Sequence, residues 1–366
     1  MQKKYNQWRA LSAMAKASFK AIMKSPQTLF FSILFPLVFV FIFGSFNDGG
    51  FTQYKLGVAP GCDSNNALYK IIENSGYVKL QTFSDTTEMR HQMERGIIAG
   101  ILTIKKKNNA GDSAPPYILS VKHTNATDAE MKRLKPFFQN VSYQLSGAKG
   151  LAVIDTDTER YSIRPYRQID FVLPGQIGFS LLFSTLFGIS FTFFTFREQL
   201  ILKRFYATPI KRINILLGVG SSRLLFQLLS VTVLILIGHF FLGFTLVNGF
   251  FTVADMLLLS IILLFLLMGI GLIFSSVVKS DSTIPLLINI FSLPQILLAG
   301  TFFPIEVFPK WMQNLVQILP LTHFNSAVRK IAFEGASLTD VGLPITVLLI
   351  WCVVVYAIAV KIFKWE

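Results

Sequence analysis

Six stretches of the chain stay apolar for about 20 residues with few charges: 29–46, 171–196, 216–246, 256–278, 284–303 and 343–363. Such a run is the length of helix that crosses a hydrocarbon core of about 30 Å. The third is too long for one straight span, so its first turns are expected at the membrane interface. The fifth carries Pro285 and Pro294 and is a candidate for a broken helix. Ahead of the first run, residues 3–24 place Trp8, Leu11, Ala15, Phe19 and Ile22 on one helical face and Lys16, Lys20 and Lys24 on another, which predicts a basic amphipathic helix lying in the interface. Between the first two runs the pattern shortens. Strands are expected over 54–59, 78–83, 99–104 and 117–123, and helices over 67–75, after the Asp85 cap with Glu88 at its third position, and from a Thr127–Glu130 capping box to about residue 145.

Composition sets the class. The chain is 52% hydrophobic and 15% charged, with 36 Phe, and a soluble protein of this length would carry far more charge. Orientation follows from Lys and Arg in the short flanks. Bases gather before the first run, in the loop after the second (Arg197, Lys203, Arg204, Lys211, Arg212), after the fourth (Lys279) and at the end (Lys361, Lys364), whereas 247–255 has none. Both termini and the two-three and four-five loops are therefore expected in the cytoplasm, and 47–170 outside, in the cytoplasmic (inner) membrane. Counting Arg223, these cytoplasmic flanks hold 15 bases and 3 acids, most of the net +14. Positive-inside topology and attraction to anionic membrane lipid account for that charge, so no nucleic acid is expected as a partner. Of the two cysteines, Cys62 is expected outside and Cys352 within the last span, so they should not pair.

Chemistry is sparse. The four His lie apart, with no metal-ligand spacing, and no phosphate-binding Gly-x-x-x-x-Gly-Lys loop occurs. No catalytic residue and no metal site is expected. His239 in the third run reads as a neutral imidazole hydrogen-bonded to a neighbouring helix rather than a proton relay. The spans are expected to hold no charged side chain near their centres, which suits an apolar or amphiphilic passenger. In the second run Phe179, Phe183, Phe187 and Phe191 recur every four residues beside a row of Ser180, Ser184, Gly188 and Thr192. The small row favours close helix packing. The Phe row is open to two readings, a packing face or the wall of a greasy path. Phe179, Phe183 and Phe187, with Asn289 and Gln295 of the fifth run, are the candidates for a substrate path.

Three segments carry a family resemblance. SPQTLFFSILFPLVFVFIFGSF (25–46) is similar to the opening of ABC-2-type transporter permeases. The stretch 197–223 resembles their cytoplasmic loop, with Arg197-Glu198 at its head, Ala207-Thr208-Pro209 inside and Ile215-Leu216-Leu217-Gly218 after it. GTFFPIEVFPKWMQNLVQILPLTHFNSAVRKI (300–331) looks like their re-entrant segment. The insertion between the first two runs is similar to that of the larger members. One departure is that many members carry a Gly-Thr pair shortly after Arg-Glu, where this chain has Gln199-Leu200-Ile201.

The resemblance implies an α-helical polytopic membrane protein of six transmembrane helices with a small α/β extracytoplasmic domain between helices one and two. Residues 1–26 would be the interfacial helix, 27–46 the first transmembrane helix, 47–170 the extracytoplasmic domain, and 171–366 helices two to six, with a coupling loop at 197–212 and a re-entrant segment at 300–331. It implies a dimeric exporter permease for a hydrophobic or amphiphilic compound. A second permease subunit and a separate ABC ATP-binding subunit would be its partners, with ATP and Mg2+ on the latter and no cofactor on this chain. Arg197, Glu198, Arg204, Phe205, Tyr206, Thr208 and Pro209 would then form the ATPase-coupling loop. Glu306 and Arg329 read as a cap or a headgroup contact rather than substrate ligands. The alternatives are a membrane-anchored receptor whose outer domain binds a ligand, and an intramembrane enzyme. Six spans exceed what an anchor needs, and no polar catalytic cluster supports the enzyme.

Overall fold

A helix that is apolar on every side has no face to turn to water, so it is buried in protein or set against hydrocarbon. The computed structural model of the 366-residue chain shows both outcomes. It describes residues 7–45, 54–75, 77–83, 85–94, 98–106, 117–124, 127–146, 152–159, 167–206, 209–305 and 308–363. In chain order the first helices are α1 (Gln7–Met23), α2 (Pro26–Leu29), a π turn (Phe30–Leu34) and α3 (Phe35–Ser45). Then come β1 (Tyr54–Val58), α4 (Ala67–Asn74), β2 (Val78–Thr82), α5 (Thr86–Glu94), β3 (Gly100–Lys106), β4 (Tyr117–Thr124), α6 (Asp128–Ser146) and β5 (Ala152–Glu159). The rest is helical: α7 (Gln168–Glu198), α8 (Ile201–Tyr206), α9 (Arg212–Leu242), α10 (Phe250–Val277), α11 (Thr283–Leu298), α12 (Lys310–Val316), α13 (Pro320–Arg329), a second π turn (Lys330–Glu334) and α14 (Gly342–Ile362). Two units result, Met1–Asn47 with Arg167–Glu366, and Asp48–Tyr166.

In the helical unit α7 is the hub. It is buried over most of its length, and α3, α9, α10, α11 and α13 pack against it. Small residues let them come close. A Cβ on Gly175 would sit 2.5 Å from the Thr301 carbonyl, and one on Gly178 would sit 2.6 Å from Asn325 Oδ1. α14 is the other outcome: it buries only Pro344, Leu348, Val355 and Ala359 and leaves Leu343, Val353 and Val360 more than 70% exposed. Such a surface is stable only against lipid or another apolar protein.

Among the described residues four helices are long and apolar enough to cross a membrane: Gln168–Glu198, Ile213–Leu242, Phe250–Val277 and Gly342–Ile362. The first and fifth apolar runs form shorter apolar helices, Phe30–Phe43 and Thr283–Leu298. The first is polar before Phe30. The fifth stops at Leu298, where Gly300 turns to φ 73°. Pro294 lies inside an unbroken α11, so the expected break at the prolines does not occur. The basic α1 packs its apolar side along α9. Phe19 meets Phe226 edge-on at 6.4 Å, Met14 fits against Gly218 and Ile22 is buried, while Lys16, Lys20 and Lys24 stay exposed.

The α/β unit is a five-stranded sheet in the order β2-β1-β3-β4-β5, with β3 and β4 antiparallel and the other pairs parallel. Alternation divides its faces. Leu56, Leu102, Ile104, Leu119 and Val121 meet α4 and α6 on one side, while Ile101 meets Met89 and Met93 of α5 on the other. At the expected Asp85 cap Oδ1 accepts from the Thr87 N–H at 2.9 Å, and Asn66, which the sequence reading did not single out, caps α4 by accepting from the Tyr69 N–H. Thr127 instead donates its hydroxyl to the Thr124 carbonyl, and the Glu130 side chain lies outside the described residues. The edge strand β5 escaped the pattern because AVIDTDTE is apolar only in its first three positions. Burial pushes the Cys62 thiol up, and an N–H from Ile104 at 3.3 Å pulls the other way. Cys62 and Cys352 are both free thiols.

Leu102 is fully buried at the centre of this sheet. Leu102→Ala should lower the unit's stability by about 3 kcal/mol through the cavity it leaves. Hydrogen exchange on the full chain should show faster exchange of the β1 and β3 amides, and unchanged exchange would contradict this core.

Candidate functional site

The segment after α7 is built by a sharp reversal. α7 ends at Glu198, Leu200 adopts φ 54°, and α8 starts at Ile201. That left-handed conformation costs a residue with a side chain about 1–2 kcal/mol, and glycine takes it freely. Leu200 is 51% exposed besides. α8 buries Leu202 and exposes Lys203 and Arg204, with Phe205 half-buried. The side chain of Tyr206, and all of Thr208, lie outside the described residues.

Two residues tie the segment down. Arg197 donates to the Ser276 carbonyl at 3.3 Å and the Val278 carbonyl at 2.8 Å, closing the C-terminus of α10, and its guanidinium lies 5.6 Å from the Phe194 ring centre. Its neighbour Glu198 is exposed. At the other end, the Gln7 side chain donates to the Pro209 carbonyl at 2.7 Å and accepts from the Lys211 N–H and from Asn214 Nδ2. Gln7 carried no sequence signal, since a lone Gln before a basic helix is unremarkable until the loop arrives beside it.

The two rows of α7 separate. The small row faces α9 and the π turn. Ser180 Oγ donates to the Ser32 carbonyl at 2.7 Å, Ser184 Oγ to Gln227 Oε1 at 3.2 Å, and Gln227 Nε2 to the Ser180 carbonyl. The Phe row stacks on the first apolar helix. Phe179 lies 4.5 Å from Phe35, and Phe183 and Phe187 each lie 5.6 Å from Phe31. Phe179 and Phe183 are buried in that stack, whereas Phe187 and Phe191 border a cavity of ≈ 320 Å³ among α1, α2, the π turn, α7 and α9. Asn289 and Gln295 are not among the cavity's lining residues. Gln295 is buried on α11 with Oε1 unpartnered, and Asn289 is partly exposed.

Arg223 corrects the sequence reading. Counted there with the cytoplasmic flank, it lies within α9, eleven residues past Arg212, and is 4% exposed. Its guanidinium lies against Gly188, where any Cβ would collide with it. The helical interior is therefore not free of charge. The signal available was the stretch Gly218–Ser222 just before it, whose glycines let α1 and α10 approach α9.

The region 300–331 forms two short helices, α12 and α13, with α13 buried against α7. Arg329 donates through Nε and Nη2 to the Phe171 carbonyl at 3.3 and 3.1 Å, and through Nη2 to the Gly300 carbonyl, with its guanidinium 3.9 Å over the Phe171 ring. It caps the chain leaving α11. Asn325 Nδ2 adds a bond to the Ala299 carbonyl at 3.0 Å. Glu306 lies outside the described residues. His239 Nδ1 meets the Phe244 carbonyl at 2.8 Å, a local closure of its own helix end rather than the expected bond to a neighbouring helix.

A family model described as ABC-2 family transporter protein matches residues 26–361. The chain belongs to this family, and with its several apolar helices it is a multi-pass membrane protein. The family comprises membrane transport subunits that work with an ATP-binding subunit. The chain is 26% identical to ABC transporter G family member 20 of Dictyostelium discoideum over 95% of its own length and 50% of that protein, so it spans half of that relative. It is 21% identical to the linearmycin resistance permease protein LnrN of Bacillus subtilis (strain 168), over 94% of this chain and 96% of the other. It is 22% identical to the probable multidrug ABC transporter permease YbhS of Escherichia coli (strain K12), over 90% and 89%.

Arg197→Ala should cost about 1.5–3 kcal/mol, because two charge-assisted bonds to the end of α10 are lost. Glu198→Ala should cost almost nothing. Thermal denaturation of the purified protein checks this, and equal losses for both variants would contradict a structural role for Arg197.

Proposed function

We propose that this chain is the permease subunit of an ATP-driven exporter of hydrophobic or amphiphilic compounds, working as a dimer and docked on a separate ATP-binding subunit that carries ATP and Mg2+. The observation that carries the reading is mechanical. α8 joins the ends of α7 and α9, and those two helices line the cavity. A push on α8 is delivered to both walls at once. Export of a hydrophobic or amphiphilic cargo fits the resistance and multidrug names of the bacterial relatives and the Phe-lined cavity.

In this reading six helices cross the cytoplasmic membrane. Pro26–Ser45 is helical without a break and would be about 30 Å long, enough to span. α11 would cross with help from the re-entrant α12 and α13. Both termini and α8 would face the cytoplasm, α1 would lie at that interface, and the α/β unit would stand outside, as the distribution of Lys and Arg requires. Phe187 and Phe191 would form the wall of the substrate path, with Phe179 and Phe183 as its packed continuation; Asn289, partly exposed on α11, and Gln295, buried against this chain's own helices, would belong to a separate stretch of it. On α11 Leu286, Ile290, Leu293 and Leu297 are exposed at alternating four- and three-residue steps, the spacing of a helix-pairing seam, and we assign this face to the second permease subunit.

Docking on the ATP-binding subunit would use Glu198, Arg204, Phe205, Tyr206, Thr208 and Pro209, with Arg197 holding the segment from behind. Leu200 belongs with them, since it holds an apolar side chain half exposed in a left-handed conformation that glycine would adopt without strain. Leu200→Gly should therefore raise thermal stability by about 1 kcal/mol while weakening co-purification of the ATP-binding subunit, and Phe205→Glu should abolish that co-purification. Wild-type capture by both variants, or ATP hydrolysis by the chain alone, would contradict the reading.

A further inference from the structure

Among the described residues that line the cavity, Arg223 carries the one charged group and none is acidic. Its Nε and Nη1 have no hydrogen-bond partner, although the residue is almost wholly buried. An uncompensated buried charge is expensive, and removing the partner of such a charge costs about 3–5 kcal/mol in other proteins. Among the described residues no side chain pairs with these two nitrogens, which leaves them available to a counter-charge on a molecule that enters. Gly188 makes the room that the guanidinium occupies.

The depth of the group says what kind of molecule that is. α9 has 31 residues and would be about 46 Å long, some 16 Å more than the hydrocarbon core. If the excess lies at its basic end, where α1 packs, the boundary between hydrocarbon and headgroups falls near residue 223. α7 gives the same level, because Gly188 lies ten residues, or about 15 Å, before Glu198. The same cavity is lined by Ser25 and Thr28, whose hydroxyls are bonded to each other at 3.0 Å, and by the rings of Phe31, Phe187 and Phe191.

We infer that this cavity binds an anionic amphiphile, with its phosphate or carboxylate headgroup on Arg223 and its chain along Phe31, Phe187 and Phe191. A guanidinium presents several N–H donors to such an oxyanion, and the bonds are charge-assisted. Calling the occupant a passenger rests on the transporter reading; the binding itself does not.

The test uses the full chain in phosphatidylcholine nanodiscs without any ATP-binding subunit. The probes are radiolabelled dodecyl phosphate, dodecanol as its uncharged counterpart, and inorganic phosphate as a competitor without a chain. Dodecyl phosphate should bind saturably and about tenfold or more tighter than dodecanol. Arg223→Gln should remove that difference, and Arg223→Lys should keep part of it. Arg223→Gln should melt no lower than wild type, since it removes an unpaired buried charge. Thr192→Trp, which fills the cavity and leaves Arg223 in place, should also lose binding. Equal binding of dodecanol and dodecyl phosphate, or unaltered binding by Arg223→Gln, would overturn the site. Displacement by inorganic phosphate as effectively as by unlabelled dodecyl phosphate would show a free-anion site and overturn the amphiphile. Because binding is read without transport, a chain that binds the probe but moves nothing upholds the site and removes only its role in export.

Discussion

The close approach of other helices to α7 is the constraint on which the helical unit rests. A helix of 31 residues buried nearly throughout can be surrounded only if its own side chains leave room. Gly175 and Gly178 admit the backbone at Thr301 and the Asn325 side chain, Ser180 and Ser184 reach out to Ser32 and Gln227, and Gly188 yields its place to Arg223. The hydroxyls matter as much as the glycines. Each satisfies a polar group that would otherwise be buried without a partner, at a cost of about 1–3 kcal/mol. The π turn at Phe30–Leu34 fits the same scheme, because the Ser32 carbonyl within it receives the Ser180 hydroxyl.

From that packing the path to function is short. α7 and α9 are stiff, they share the cavity, and α8 bridges their ends. Arg197 locks the end of α7 to the end of α10, while Gln7 ties α1 to the loop that enters α9. In the proposed mechanism a displacement of α8 is passed to α1, α7, α9 and α10, which include the cavity walls. In the proposed reading the cavity lies at the headgroup level, its guanidinium receives a passenger from the leaflet, and movement of its walls releases it.

Much of this architecture was legible in the sequence because hydrophobic length and period are strong signals. The long helices α7, α9, α10 and α14 and the first four strands came from pattern alone, and the loop motif around Arg197 pointed to the family. What was not legible depended on contacts distant in sequence. The Arg197 side chain reads as a surface base, yet it closes α10 some 80 residues away. Arg223 reads as a flank charge because a linear count cannot show that α9 begins at residue 212 and buries it. Pro294 reads as a breaker, but tertiary packing carries the helix through it. The Phe row presented one pattern for two roles, since only the partner helix decides that Phe179 and Phe183 stack on Phe35 and Phe31 while Phe191 borders open space.

The central claim is that α8 is worked from the cytoplasm by a companion that burns ATP. The most direct measurement places a single cysteine at Lys203, an exposed position on α8, in a chain with Cys62 and Cys352 replaced by Ser. A membrane-impermeant maleimide is then applied to intact cells and to inverted membrane vesicles. Labelling in inverted vesicles alone, blocked when the ATP-binding subunit is bound, is the predicted result. Labelling from outside intact cells would put α8 beyond reach of any such companion and contradict the account.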